Sequence, residues 1–285
     1  RPSIEELKKK VKDFADNLME LKETPMIEEY YTGPVLFEEG AASRLFTDNL
    51  LSPGRLLALR TMAPARGMLD EQLGRRIIDS RLTVKNYTTL AEYNGTPLFG
   101  CYEIDGDGVV PAAELTLVEN GVFKRMLNGR VPTLKAPEST GSARFMISPD
   151  NPMAIVSPGT IHVQASKGVG PEKLKKALLK AAKEADLEYA YIVRRIGGEA
   201  SAVYKVNVKD GKEIRVRVNN LSAPELTKLM DLKGISSDER VMNYLPNGVP
   251  ASLIYPSAII VGDVEINRTT PKIEEEPVLK HPLQR

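Results

Sequence analysis

Apolar residues at Ile4, Leu7, Val11, Phe14, Leu18 and Leu21 recur at alternating spacings of three and four, which predicts one amphipathic helix of about five turns. Ser3 and Glu6 form a capping-box pair at its start, Lys8, Lys9, Lys12, Asp13 and Asp16 charge its other face, and Pro25 ends it. So regular a seam suits a coiled coil, or the commoner use of a single helix, docking on its own domain or joining it to a neighbour. Gly33-Pro34 then predicts a break in the chain, and Val35-Leu36-Phe37 a short strand. Ala42, Leu45, Phe46 and Leu50 fall on one face of a following helix, which Pro53-Gly54 stops.

Period-two alternation takes over downstream. Residues 82–88 read as a strand, and two β-prone runs flank Asn120-Gly121, whose residue types suit the positive φ angles of a type I′ hairpin turn. Ile161-His162-Val163 lies in another short strand. Pro171 opens a helix with Leu174, Ala177, Leu178, Ala181 and Ala185 on one face and a run of lysines on the other, most simply a solvated surface. Residues 189–195 form a strand, and residues 203–218 a second hairpin, turned by Asp210-Gly211. Residues 224–232 form a short helix. From Thr270 a Pro- and Glu-rich tail containing His281 reads as extended and suited to crossing onto a partner. Hairpins interleaved with a few separate helices predict an α+β fold built on a large antiparallel or mixed sheet.

Composition narrows the function classes. The chain has 285 residues, 42% of them apolar and 27% charged, enough for one large or two ordinary globular domains. A net charge of +1, with no basic run interleaved with aromatics, argues against direct nucleic-acid binding. No apolar run reaches membrane-spanning length, and the start at Arg1 carries neither a signal peptide nor an initiator methionine. One cysteine, Cys101, excludes an internal disulfide and suits a reducing compartment. These features lead us to expect a cytoplasmic protein, here as a piece of a longer chain.

Several stretches could carry chemistry, each with a plainer reading beside it. Arg55, Arg60, Arg66, Arg75, Arg76 and Arg81 punctuate a loop-rich segment that could hold a carboxylate or a phosphate, or simply be a solvated loop; Met62 and Met68 in it could pack against a partner. Asp105-Gly106-Asp107-Gly108 superficially suggests calcium but lacks the spaced ligands and flanking helices of an EF-hand, so a tight acidic turn is preferred. Ser139-Thr140-Gly141-Ser142-Ala143-Arg144 could nest an anion or a peptide carboxylate, or be a turn whose hydroxyls satisfy their own backbone. His162 has no second histidine near it and reads as a satisfied strand residue rather than a ligand.

The tract from Gly33 to Phe46, containing Gly33-Pro34-Val35-Leu36-Phe37-Glu38 and Ala41-Ala42, resembles the TldD/PmbA family, whose PmbA branch is also called TldE. The resemblance extends to Ile104-Asp105-Gly106-Asp107-Gly108, Glu119-Asn120-Gly121-Val122, Ser139-Thr140-Gly141, the Asp210-Gly211 hairpin, where Val218 stands in place of a usual glycine, and Val249-Pro250 with Pro256. It covers nearly the whole chain but only the C-terminal portion of a family member. Residues 1–24 would be the helix that follows an upstream α/β domain, and residues 25–285 the C-terminal domain.

In zinc-bearing members the helix after the strand carries His-Glu-x-x-x-His. The same positions here read Thr47, Asp48, Asn49, Leu50, Leu51 and Ser52, so both imidazoles are replaced, and a cysteine expected near residues 243–247 is missing as well. Hydroxyls are poor zinc donors. The resemblance therefore implies a member of the zinc-less PmbA/TldE kind, with no cofactor of its own and no catalytic residue of its own. It would pair with a TldD-like subunit that carries the zinc, or form a homodimer, and act on extended peptides in degradation or maturation. Ser139, Thr140, Arg144, Asp105 and Asp107 are the candidate peptide or anion contacts. One alternative is a hydrolase active in its own right through Cys101 or the carboxylates of Asp48, Asp105 and Asp107. The other is a non-enzymatic modulator of DNA gyrase or of another protein, after the family's older label.

Overall fold

A computed structural model describes residues 3–27, 29–59, 69–146, 153–197, 201–218 and 221–267. Met62, Met68, Arg60, Arg66 and the tail with His281 lie outside them. Two six-stranded mixed sheets carry the fold. The first runs β12 (Glu213–Val216), β11 (Ala202–Asn207), β10 (Tyr189–Arg195), β1 (Tyr31–Glu38), β16 (Ala258–Ile266), β13 (Leu232–Ile235). The second runs β14 (Glu239–Tyr244), β15 (Ala251–Pro256), β9 (Thr160–Ala165), β2 (Leu82–Tyr87), β5 (Glu114–Glu119), β6 (Val122–Phe123). Two ribbons, β3 (Glu92–Tyr93) with β4 (Thr96–Pro97) and β7 (Ala143–Met146) with β8 (Met153–Val156), complete the strands. With helices α1 (Ile4–Glu23), α2 (Glu39–Leu50) and α3 (Pro171–Glu184), the α+β expectation holds. None of the helices described is long and apolar enough to cross a membrane.

The first sheet is buried on both faces at its centre, which is why β1, β10 and β16 contain the apolar runs Val35-Leu36-Phe37, Ile192-Val193 and Ile259-Ile260-Val261. On one face Leu36, Ile192 and Ile260 pack against Leu174, Leu178 and Ala182 of α3. On the other, Val35, Phe37, Val193 and Val261 join the main core with Leu45, Phe46 and Leu50 of α2 and with Val84, Leu117 and Leu253 of the second sheet. A single residue separates β15 from β16, yet the two strands belong to different sheets. Ser257 is the corner between them, its N–H donating to the Asp238 carbonyl and its carbonyl accepting from the Glu39 N–H.

Several expectations are corrected. Gly33-Pro34 does not break the chain: both lie inside β1, where the pairing with β16 shifts register between Gly33 and Val35. Proline has no N–H to give, and a shift in the ladder accommodates it. The Asp210-Gly211 hairpin closes through a longer loop, with the Gly211 N–H donating to the Asn207 carbonyl and only Gly211 of the pair at positive φ. The Asn120-Gly121 turn has φ of +48° and +79°, as the type I′ reading requires. In α3, Ala182 is buried in place of Ala181 and Ala185. The helix of residues 224–232 shortens to a 3-10 turn over Leu226–Met230.

In α1 the Ser3 and Glu6 capping box forms as read, while Ile4, Leu7, Val11, Phe14 and Leu18 all stay exposed. Contact with the body comes near its end, where Arg215 reaches Glu20. Ser3→Ala is expected to remove about 1 kcal/mol of helix stability. Because the exposed stripe couples weakly to the core, amide exchange in the first turns of α1 should speed up while the global unfolding midpoint stays unchanged.

Candidate functional site

Helix α2 turns Ala41, Ala42, Leu45, Phe46 and Leu50 into the core, so Arg44 and Asp48 point outward. Arg44 Nη2 lies 2.8 Å from Asp48 Oδ2, an i,i+4 pair, and the Thr47 hydroxyl donates to Asp48 Oδ1 at 3.2 Å. Asn49, buried on the inner side, donates from Nδ2 to the carbonyls of Leu45 and Pro224, both at 2.9 Å, and so ties α2 to the segment before the 3-10 turn. The helix ends as the Leu51 N–H donates to the Thr47 carbonyl, and Gly54 at φ +82° turns the chain. The donors at the three motif positions are thus two alcohols and a carboxylate already held by a guanidinium. That set does not fit zinc, which takes imidazole, thiolate or free carboxylate. Among the described residues no group of three or more His, Cys, Asp or Glu side chains converges.

Beyond the end of α2 lies an apolar groove of about 220 Å³. Leu51, Pro53 and Leu57 form one wall, Ala154 and Ile155 of β8 another, and Pro246 with Asn247 a third. The turn that follows the motif positions therefore meets the 243–247 segment, where the resemblance leads one to expect a cysteine, at this groove, while Thr47, Asp48 and Ser52 do not line it. Ser157, 2% exposed, lines the groove too, and its hydroxyl has no hydrogen-bond partner. The Ser157 main chain is fixed by its N–H, which donates to the Ser142 carbonyl at 3.0 Å.

The other sequence candidates cluster around the β7–β8 ribbon. Asp105 is buried; its Oδ1 accepts the N–H groups of Asp107 and Val109 at 2.9 and 2.8 Å, and its Oδ2 that of Ala143 at 3.0 Å. Asp107 Oδ2 accepts the Arg130 N–H at 2.8 Å. Both carboxylates thus hold main-chain turns together. Ser139 Oγ accepts the Gly141 N–H at 3.1 Å, and Thr140 Oγ1 accepts the Asn128 N–H at 2.7 Å. Arg144, across the ribbon from Ile155, stacks 4.1 Å above the Tyr102 ring, with Nη1 buried and unpartnered. Burial pushes its pKa below the ordinary arginine range.

His162 is buried on β9, with Nε2 2.9 Å from Glu239 Oε1 on β14 and the Tyr93 ring edge-on at 5.3 Å. The Tyr93 hydroxyl donates to the second oxygen of Glu239, and that bond helps push the tyrosine up to about 12. Burial opposes ionisation of Glu239, but hydrogen bonds from His162 and Tyr93 still hold it below the usual carboxylate range. Sequence reading found the histidine and missed the glutamate, which sits in a polar edge strand with no apolar alternation to announce it. Cys101 is exposed.

Residues 30–267 match the model of the PmbA/TldA metallopeptidase C-terminal domain. TldE from Thermococcus kodakarensis has a similar structure, with a TM-score of 0.54 at 17% identity over 84% of this chain and 51% of that one. A proposed modulator of a DNA gyrase from Thermotoga maritima matches with a TM-score of 0.53 at 16% identity, over 86% of this chain and 51% of that one. At these identities the likeness is one of fold, and the chain spans about half the length of either protein. No curated protein matches it.

Proposed function

The chain belongs to the PmbA/TldD metallopeptidase family through its C-terminal domain, and on that premise we propose that it is a zinc-less member that seats extended peptide for a zinc-bearing, TldD-type partner subunit in peptide degradation or maturation. The observation that carries the reading is the meeting of the turn after α2, from Leu51 to Leu57, with the Pro246-Asn247 segment on an apolar groove whose described lining holds no imidazole or thiolate. The groove runs beside β8, which pairs with β7 along one edge; among the described residues no strand pairs with the other, which suits strand addition by a peptide. The apolar walls take its side chains. The buried Ser157 hydroxyl supplies one hydrogen bond that the folded chain leaves unmade.

The test is metal content and peptide cleavage, measured on the purified chain alone and mixed with a zinc-bearing TldD-type protein. We expect no stoichiometric zinc and no turnover alone, with cleavage in the mixture. Stoichiometric zinc together with turnover in the isolated chain would overturn the reading. Ser157→Ala supplies a finer check. Removing an unpartnered buried hydroxyl should leave stability unchanged or raise it by up to about 1 kcal/mol, while peptide capture by the pair falls several-fold.

A further inference from the structure

The described arginines of the segment after α2 do not line the peptide groove, yet the fold gives two of them a common setting. Arg55 and Arg76 line one cleft of about 510 Å³ with Gln72, bounded on the α2 side by Asn49. Leu69, Leu226 and Met230 supply an apolar wall. Arg55 is half-buried in the turn that follows α2, its N–H donating to the Ser52 carbonyl at 3.1 Å, and the main chain of Arg76 bridges to Val122. Both stems therefore leave fixed backbone. Arg44, Arg81, Arg194 and Arg240 each face a carboxylate, whereas among the described residues neither Arg55 nor Arg76 has one.

We propose that this cleft binds the carboxylate of a small acid with an apolar body, and specifically the free C-terminus of a peptide ending in an apolar residue. A planar guanidinium matches a carboxylate through two parallel hydrogen bonds, and a pair of them can grip both oxygens. Glu225 also lines the cleft, so among the described lining residues two cations and one anion leave a single positive excess. That balance favours a monoanion over a phosphate dianion, and the apolar wall favours a hydrophobic last side chain over a hydrated one. The proposal rests on the cleft alone and requires neither the β8 groove nor a partner subunit.

The experiment is calorimetric titration of the full 285-residue chain with N-acetyl-Ala-Ala-Leu, with its C-terminal amide and with inorganic phosphate. The acid is expected to bind, the amide to bind at least ten-fold more weakly, and phosphate to bind more weakly than the acid. Arg55→Gln and Arg76→Gln should each weaken the acid at least ten-fold with the thermal midpoint unchanged. Equal binding of acid and amide, tighter binding of phosphate, or indifference to both substitutions overturns the proposal. Binding is read without any cleavage, so failure here and failure of the peptidase-partner reading are separate results.

Discussion

Asp79→Ala is expected to cost the fold about 3–5 kcal/mol, since it leaves a buried network without its acceptor. Asp79 is 5% exposed. Its Oδ1 accepts from the N–H and Nε of Arg81 at 2.9 and 2.8 Å, and its Oδ2 from Arg81 Nη2 at 2.8 Å and the Leu232 N–H at 3.0 Å. Arg81 leads directly into β2 of the second sheet, and Leu232 opens β13 of the first, so one carboxylate clasps the two sheets together. Burial works against ionisation, but the bonds from Arg81 and Leu232 outweigh it and pull the Asp79 pKa down to about 2 from its ordinary value of 3.8. With the folded value the lower one, the group's contribution is fully present above about pH 4 and is lost as pH falls through about 2. The difference corresponds to about 2 kcal/mol. Urea unfolding of the wild type and of Asp79→Asn at pH 7 and pH 3 checks this. The variant should be less stable at pH 7 and lose less on acidification, and parallel losses would show that another group governs the acid limb.

Gly100→Ala is the second large effect, with an expected cost of about 3 kcal/mol or more. A Cβ at this position would fall 2.3 Å from the carbonyl carbon and oxygen of Gly159 and 2.5 Å from the Thr160 nitrogen. Main chain lies on both sides of the contact, so no side chain can rotate away. The same segment is pinned by the Phe99 N–H, donating to Ser252 Oγ at 2.8 Å, and by the Tyr102 N–H, donating to the Thr88 carbonyl at 2.8 Å. The strand ends must therefore separate, or the 98–102 segment must leave them. Gly40→Ala is the contrast. It lies in the first turn of α2 with its nearest obstacle at 3.9 Å, and should be neutral or stabilise by up to about 1 kcal/mol. Thermal unfolding of the two variants separates loss of backbone contact from a general intolerance of substitution at glycine.

Much of this fold was legible wherever a local rule acts. The capping box of α1, the inner face of α2, the Asn120-Gly121 turn and the proline-led start of α3 each depend on residues within a few positions of one another. What escaped depends on partners far away in the chain. β14 carries Glu239, Arg240 and Asn243, so no alternation marks it as a strand, and its pairing with β15 alone makes it one. The division into two sheets has no local signal, since nothing nearby marks Ser257 as the place where the chain changes layer. At the site, the tract from Gly33 to Phe46 located α2 and its inner face. The buried Asn49 bond to Pro224 and the Glu239 partner of His162 had no local signal, since the pairs lie 175 and 77 residues apart in sequence.

The pairing of β1 with β16 has a consequence for biosynthesis. Leu36 lies opposite Ile260 at the centre of the first sheet, so an emerging polypeptide carries the β-prone Val35-Leu36-Phe37 stretch past the ribosome exit long before the strand that covers its edge has been translated. Closing so distant a contact is slow, and the waiting edge is open to mispairing with other nascent chains. Production of this protein should therefore be more sensitive to holdase chaperones and to translation speed than its folded stability alone would suggest.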